Sequence, residues 1–304
     1  NAINFGLTNK ICNFLKENSL TTPIIFSSSV QAECDNAYGR SKLLAEEALT
    51  ALSNENGNFV KIMRLPGVFG KWSKPNYNSV VSTFCHNIAN GLKIQIDDPN
   101  HELSLIYIDD VINQILDIIE RDNNHDSRFI EISNINKLTV GELAEKITSF
   151  SNVRNSLITE PVGEGILRAL YATYVSYLKP KDFSYCVESH KDERGIFVEM
   201  LKTINSGQFS FFTAHPGVTR GGHYHHSKTE KFLVISGKAK FGFRNIISDE
   251  KYFLETSGES PEIVETVPGW THDIKNIGSE DLIVMLWANE IFDQNNPDTY
   301  NESV

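Results

Sequence analysis

Apolar and polar positions follow two different rhythms along the chain. In the first 178 residues, short unbroken apolar runs alternate with stretches whose apolar residues recur every three or four positions. Residues 23–28, 59–65 and 129–132 read as strands, and 3–17, 37–52, 78–91, 110–121 and 164–178 as helices. The helix over 37–52 carries Leu44, Ala45, Ala48, Leu49 and Leu52 on one stripe, the spacing of a core-facing helix. Asp109 or Asp110 is placed to cap the helix at 110, and Thr139-Val140-Gly141-Glu142 is a capping box that opens a further helix. Near-continuous apolar strands alternating with helices predict a parallel sheet covered by helices.

From about residue 182 the helical period disappears. Short β-type stretches at 197–201, 209–213, 231–235, 239–243, 263–267 and 282–287 are separated by turn residues at regular intervals. That pattern predicts an antiparallel sandwich or barrel with no helix of consequence. The change of texture falls near Lys179-Pro180-Lys181, giving two expected domains, 1–178 and 182–304. A chain of 304 residues suits two domains better than one core.

Composition narrows the function. The formal charge of −11 leaves no basic stripe for nucleic acid, although a few local Arg and Lys suffice to hold an anionic small molecule. No apolar run approaches the roughly 18–20 residues of a membrane span. Cys12, Cys34, Cys85 and Cys186 are widely spaced, as free thiols in a reducing cytoplasm are. The chain begins Asn1-Ala2-Ile3 without an initiator Met, so the lack of a signal peptide carries little weight.

Two constellations carry chemistry. In the first half, Tyr38 and Lys42 stand at i and i+4, one turn apart on one helix face. A nearby ammonium favours the phenolate, which suits Tyr38 to proton transfer. Ser27, Ser28 and Ser29 end the preceding strand, where a hydroxyl can bind a substrate carbonyl. A Tyr and Lys at this spacing also occur by chance on exposed helices. In the second half, Gly217, His223, His225, Glu230 and Gly237 form G-x5-H-x-H-x4-E-x6-G, and Gly269, His272 and Asn276 form G-x-x-H-x-x-x-N. His223 and His225 share a strand face, and His272 from a distant strand completes three imidazoles and a carboxylate, a donor set for Zn, Fe, Mn or Ni. Zn is the choice that needs no redox partner. The plainer reading is a polar barrel lining without metal. His226 is expected to point outward.

These residues carry family resemblances. The order of serines, Tyr38–Lys42, the run Arg64-Leu65-Pro66-Gly67-Val68-Phe69-Gly70 and the run Leu105 to Val111 resembles the extended short-chain dehydrogenase/reductases acting on nucleotide sugars, over residues 1–178. The resemblance implies Tyr38 as catalytic acid, Lys42 orienting it and binding the nicotinamide ribose, Ser29 on the keto oxygen, and Pro66 beside the nicotinamide. No G-x-x-G-x-x-G occurs, so roughly sixty residues of that fold are expected to be missing before Asn1, and dinucleotide binding by the chain as it stands is expected to be poor. Gly67 stands where many relatives carry an Asn that touches the substrate diphosphate.

The histidine motifs match those of cupins, with Pro268 one place nearer its glycine than usual. Asp192-Glu193-Arg194-Gly195-Ile196-Phe197-Val198-Glu199 and Arg220-Gly221-Gly222-His223-Tyr224 resemble cupin-fold epimerases of 4-keto nucleotide sugars. In those enzymes the arginines grip phosphate and the histidine removes a proton beside the keto group. Arg194 and Arg220 are thereby implied in substrate binding, and His223 as base, ligand or both. Lys231 is expected to hold the sugar or its enolate oxygen. Arg194 in a surface ion pair with Asp192 or Glu193 is the plainer alternative.

The expected fold is therefore a Rossmann-like short-chain dehydrogenase domain lacking its N-terminal part, followed by an all-β cupin, a jelly-roll barrel. The pairing resembles the bifunctional capsular polysaccharide synthesis enzymes. It implies C3 epimerisation of a UDP-2-acetamido-2,6-dideoxy-4-hexulose by the cupin half and C4 reduction with NADPH by the other, toward UDP-N-acetyl-L-fucosamine, in a cytoplasmic homodimer. The alternatives are a 4-reductase with a purely structural metal cupin, a cupin dioxygenase, and a non-catalytic sugar-binding protein.

Overall fold

The computed structural model describes residues 4–120 and 127–304. The chain forms two compact units, one of residues 1–148 and 163–178, the other of 149–162 and 179–304. The intervening stretch 149–162 thus goes with the second unit, not with the first as the change of texture predicts. Hydrogen bonds explain this: Thr159 N–H donates to Lys202 O and Lys202 N–H to Leu157 O, both at 2.8 Å.

In the first unit the elements run α1 (Asn4–Glu17), β1 (Ile24–Ser29), α2 (Ala37–Asn56), β2 (Val60–Leu65), β3 (Gly67–Phe69), α3 (Val80–Ala89), β4 (Glu102–Tyr107), α4 (Ile108–Glu120), β5 (Phe129–Ile130), β6 (Asn136–Thr139), α5 (Val140–Ser156), whose residues from 149 on are counted with the second unit, and α6 (Gly165–Val175). Residues 3 and 121, at the ends of two expected helices, lie outside the described residues. Strands β1, β2 and β5 form a parallel Rossmann-like sheet in the order β1-β2-β5. Strands β3, β4 and β6 form a second small sheet, parallel then antiparallel.

Strand β2 explains the layering. Its side chains alternate between two apolar layers, so both faces are buried. Val60 and Ile62 pack with Cys12, Leu15, Leu49 and Leu52 of α1 and α2. Met63 and Leu65 pack with Ile106 and Val111 on the other side. Each fully buried aliphatic side chain contributes about 1.5–3 kcal/mol. The capping box at Thr139 is formed, Glu142 accepting from Thr139 N–H at 2.7 Å and Glu142 N–H donating to Thr139 Oγ1 at 3.1 Å. Asp109 and Asp110, expected as caps, lie instead inside the first turn of α4, which starts at Ile108. There they still favour the positive end of the helix.

The second unit is all-β: β7 (His190–Asp192), β8 (Gly195–Thr203), β9 (Gly207–Ala214), β10 (Thr219–Tyr224), β11 (Glu230–Ser236), β12 (Lys238–Asn245), β13 (Lys251–Ser257), β14 (Ile263–Glu265), β15 (Trp270–Asn276), β16 (Leu282–Ala288) and β17 (Tyr300–Asn301). Two antiparallel sheets have the orders β13-β12-β15-β10-β17 and β14-β11-β16-β9-β8-β7. Inward residues of both, among them Phe212, Phe232, Phe241, Ile274 and Val284, form one core. Strands β10 and β15 are neighbours, and β11 faces them from the other sheet, which fixes where the site lies.

Candidate functional site

In the first unit, Ser29 ends β1 and lies in register with Leu65, so Ser29 and the following Pro66 share the carboxyl edge of the parallel sheet. Ligands of open α/β folds bind at that edge. Helix α2 is capped by Asn36, whose side chain accepts from Gly39 N–H at 2.8 Å. A Cβ on Gly39 would stand 2.0 Å from Gln31 O. Only glycine lets the helix come this close to the turn that follows Ser29.

Lys42 Nζ donates to Ser27 O at 2.9 Å and sits 5.9 Å from the centre of the Tyr38 ring. Burial lowers the Lys42 pKa, with Glu46 opposing. The three serines divide. Ser28 is buried and its hydroxyl donates to Glu46. Ser29 Oγ accepts from Gln31 N–H at 3.2 Å, leaving its own proton to donate. Tyr38 is exposed. The sequence reading missed Glu46 and Arg64. Glu46 is buried, and Arg64 grips it with Nε at 3.0 Å from Oε1 and Nη2 at 2.6 Å from Oε2. The signal was the i, i+4 spacing of Lys42 and Glu46.

In the second unit, His223 on β10 is the register partner of His272 on β15. The two strands meet at a bulge made by Gly221 and Gly222, with φ of +94° and +79°. A Cβ on Gly221 would lie 2.8 Å from His272 O, so the close ladder requires glycine. Ligand atoms of His223, His225, Glu230 and His272 all lie within 4.8 Å of one another. His225 Nε2 is 3.2 Å and His272 Nε2 3.4 Å from Glu230 Oε2.

The group fits a metal ion. His225 Nδ1 meets the carbonyl of Asp298, which only accepts, so the ring proton is on Nδ1. Nε2 faces a carboxylate oxygen of Glu230, an arrangement that needs a positive charge between them, met either by a second ring proton or by a bound cation. Both nitrogens of His272 are buried without a hydrogen-bond partner among the described residues. Burial, then His272, holds His223 down at about 4 despite Glu230, so its imidazole is neutral near pH 7. Burial pushes the Glu230 carboxyl up, but the imidazoles of His225 and His272 and the Lys228 ammonium outweigh it and leave it below the usual carboxylate range.

The metal-type group opens on a cavity of about 330 Å³ whose wall includes Arg194, Arg220, His223, Glu230 and His272. Arg194 is held by Asp192, its Nη2 2.5 Å from Oδ2. Arg220 Nε donates to Thr213 O at 3.0 Å, and its Nη2 lies 3.8 Å from Asp192. Lys231 is not brought there. Strand alternation turns it to the opposite face from Glu230, where it is exposed and paired with Glu265. The missed lysine is Lys228, buried, with Nζ 3.1 Å from Glu230 Oε1. Asp298 was also missed. His226 is exposed and packs on Tyr224 and Tyr300. Asn276 serves the fold, donating to Ala214 O and Glu280 O at 2.8 and 2.7 Å.

Residues 3–133 match the NAD dependent epimerase/dehydratase family, and 190–300 match the polysaccharide biosynthesis C-terminal domain. The chain is 56% identical over 301 residues to the UDP-2-acetamido-2,6-beta-L-arabino-hexul-4-ose reductase of Pseudomonas aeruginosa, covering 99% of this chain and 81% of that protein. A spore coat polysaccharide biosynthesis protein, SpsL of Bacillus subtilis, is 25% identical over 119 residues, covering 36% of this chain and 79% of its own. The crystal structure of the capsular polysaccharide assembling protein CapF from Staphylococcus aureus superposes with a TM-score of 0.91 at 41% identity, covering 98% of this chain and 80% of that one. CapF with the inhibitor 3-isopropenyl-tropolone superposes at 0.88, with 38% identity, covering 98% and 83%.

Proposed function

We propose, from the premise that this chain belongs to the family of the UDP-2-acetamido-2,6-beta-L-arabino-hexul-4-ose reductase, how its two sites divide a nucleotide-sugar reaction. The protein is an enzyme acting on a UDP-linked 4-keto-6-deoxy amino sugar in capsular polysaccharide synthesis. The all-β unit is a cupin that epimerises C3, and the Rossmann-like unit then reduces C4 with a nicotinamide cofactor, NADPH.

One observation carries the epimerase assignment: Arg194 and Arg220 line one cavity together with His223, Glu230 and His272, three members of the four-residue metal-type group whose fourth, His225, is buried behind them. The guanidinium groups hold the diphosphate. The 4-keto group acidifies the C3–H. His223, less buried than His225, Glu230 and His272, removes that proton, and return of a proton to the opposite face inverts the centre. A base held near pKa 4 is weak, so the ketone needs strong polarisation. A divalent ion held by His225, Glu230 and His272, with His223 a ligand only in the turn when it is not the base, and with Zn our choice, would supply it as a Lewis acid.

In the other unit, a bound NADPH would supply the hydride for C4, and Tyr38 is the residue that gives its proton to the C4 oxygen. Lys42 orients Tyr38 and, with Pro66, would hold the nicotinamide end of that cofactor, while Ser29 donates to the keto oxygen. Loss of the carbonyl fixes the new C3 configuration, because C3–H is no longer acidic. A nicotinamide cofactor and a UDP-sugar suit the cytoplasm, and no helix among the described residues is long and apolar enough to cross a membrane.

The protein acts as a homodimer. The outward face of the six-stranded sheet sets Trp287 opposite Phe209 and Met285 opposite Phe211 and Leu233. Lys231 and Glu265 flank this apolar face with opposite charges, so a second copy related by a two-fold axis presents a complementary rim. Met285→Glu yields a monomer by light scattering if this face is the interface.

The test of the epimerase is proton NMR in D2O with the UDP-4-keto-6-deoxy sugar and no NADPH. Deuterium enters C3 with the wild type and not with His223→Ala. A folded, metal-loaded wild type that exchanges nothing overturns the assignment and leaves a reductase with a structural cupin.

A further inference from the structure

We propose that Asp298 is the positioning residue of the metal centre, setting the ring of His225 and the path of the chain into Glu230; this rests on the reading of the four-residue group as a metal site. Asp298 lies 73 residues beyond His225 in the sequence, just before the short strand β17 that pairs with β10. It uses two different groups. Its backbone carbonyl accepts from His225 Nδ1. Its carboxylate accepts three successive backbone N–H groups, from His226 at 2.8 Å to Oδ1, and from Ser227 at 2.7 Å and Lys228 at 2.8 Å to Oδ2. The Ser227 hydroxyl adds a fourth bond at 2.9 Å.

These bonds span the four-residue linker of the H-x-H-x4-E motif. Without Asp298 the N–H groups of 226–228 would face water and the linker would sample other turns. With it, the linker has one path, and Thr229 N–H meets Asn289 Oδ1 at 3.0 Å before Glu230 enters β11. The carbonyl contact chooses the tautomer. With the proton fixed on Nδ1, Nε2 carries its lone pair toward Glu230 Oε2, the direction from which an ion is bound. A second partner that fixes both tautomer and ring angle is commonly worth 10–100-fold in metal affinity. The carboxylate itself is ionised at any working pH. Burial raises its pKa, but the three N–H bonds outweigh burial and hold it below the usual range.

The experiment is a Zn2+ competition titration against a chromophoric chelator, on the metal-free protein, for the wild type, Asp298→Ala and Asp298→Asn. The expected result is a loss of Zn2+ affinity of about 10–100-fold in Asp298→Ala, with a smaller loss in Asp298→Asn, whose amide oxygen keeps part of the linker bonding. Long-range proton–nitrogen NMR of the metal-free protein reads the ring directly. Asp298→Ala keeps the accepting carbonyl but frees it from the carboxylate bonds to residues 226–228 that fix its place, so His225, with its proton on Nδ1 in the wild type, becomes a mixture of tautomers, a change that mere loss of stability does not produce. If Asp298→Ala fails to fold, Asp298→Asn gives both readouts. Wild-type affinity and an unchanged tautomer in the folded variant overturn the proposal. A wild type that binds no Zn2+ overturns the metal reading itself, a result distinct from equal binding by all three.

Discussion

His223 and His272 face one another across the β10–β15 ladder as register partners, their ring centres 4.7 Å apart and edge to face. His272 is buried, yet neither of its nitrogens has a hydrogen-bond partner among the described residues. A buried polar group left so costs about 1–3 kcal/mol, and an ion that takes its lone pair removes that cost. Zn2+ should therefore stabilise the all-β unit. At a free concentration 100 times Kd the gain is about 2.7 kcal/mol. Calorimetry with and without chelator should show the increment, and His272→Ala should abolish it.

The neighbouring serines Ser28 and Ser29 should separate stability from catalysis. Ser28 donates to buried Glu46, so Ser28→Ala leaves a carboxylate oxygen short of a partner and should lower stability by about 1–3 kcal/mol. Glu46→Gln, which leaves Arg64 without its bidentate partner, should cost more than Ser28→Ala. Ser29→Ala removes the cap of the short helix at 30–33, an exposed contact, and should lower the melting temperature by less than Ser28→Ala while C4 reduction slows. Equal melting losses in Ser28→Ala and Ser29→Ala would sink the distinction.

How much of this was legible in the sequence depended on whether a local rule fixed the geometry. The i, i+4 pair Tyr38–Lys42 obeys the helix period and could be placed without coordinates, whereas β10 ends at Tyr224, so His225 stands just beyond the strand expected to carry it, although its ring still joins that of His223. Lys231 was misplaced although the same rule was available: with Glu230 inward, the next residue on the strand must face out. The start of β10 at Thr219 escaped, although a strand was expected at His223, because Gly221 and Gly222 carry no β signal; they are there for the bulge, which only the partner strand makes necessary. Asp298 could not have been found. It lies in an irregular stretch 73 residues from the ring it touches, and one of its two roles is played by a backbone carbonyl that any residue possesses.

Acid should weaken the metal-free all-β unit in a defined window. Burial first, then His272, lowers His223 from 6.5 to about 4. The unfolded chain takes up this proton as pH falls through about 6.5, and the folded chain only near 4. The stability contributed by keeping His223 neutral is thus fully present above pH 6.5, declines between 6.5 and 4, and levels off below. Urea midpoints measured in chelator across this range should show the decline. His223→Asn should flatten it, and an unchanged slope in that variant would assign the titration elsewhere.

The two lysines near Glu230 should behave oppositely. Lys231 forms an exposed pair with Glu265, an arrangement worth about 0–1 kcal/mol. Lys231→Ala should therefore leave Zn2+ affinity and melting nearly unchanged. Lys228 is buried, and its ammonium is 3.1 Å from Glu230 Oε1. Lys228→Met leaves that carboxylate with less compensation, and breaking a buried pair costs about 3–5 kcal/mol. The loss should appear mainly without metal, because a bound divalent ion takes over the neutralisation of Glu230. Removing the ammonium also removes a like charge beside the ion. Zn2+ should accordingly raise the melting temperature of Lys228→Met by more than it raises that of the wild type. A smaller increment in the variant would mean that Lys228 helps to hold the ion by orienting Oε2, and that its charge is the lesser effect.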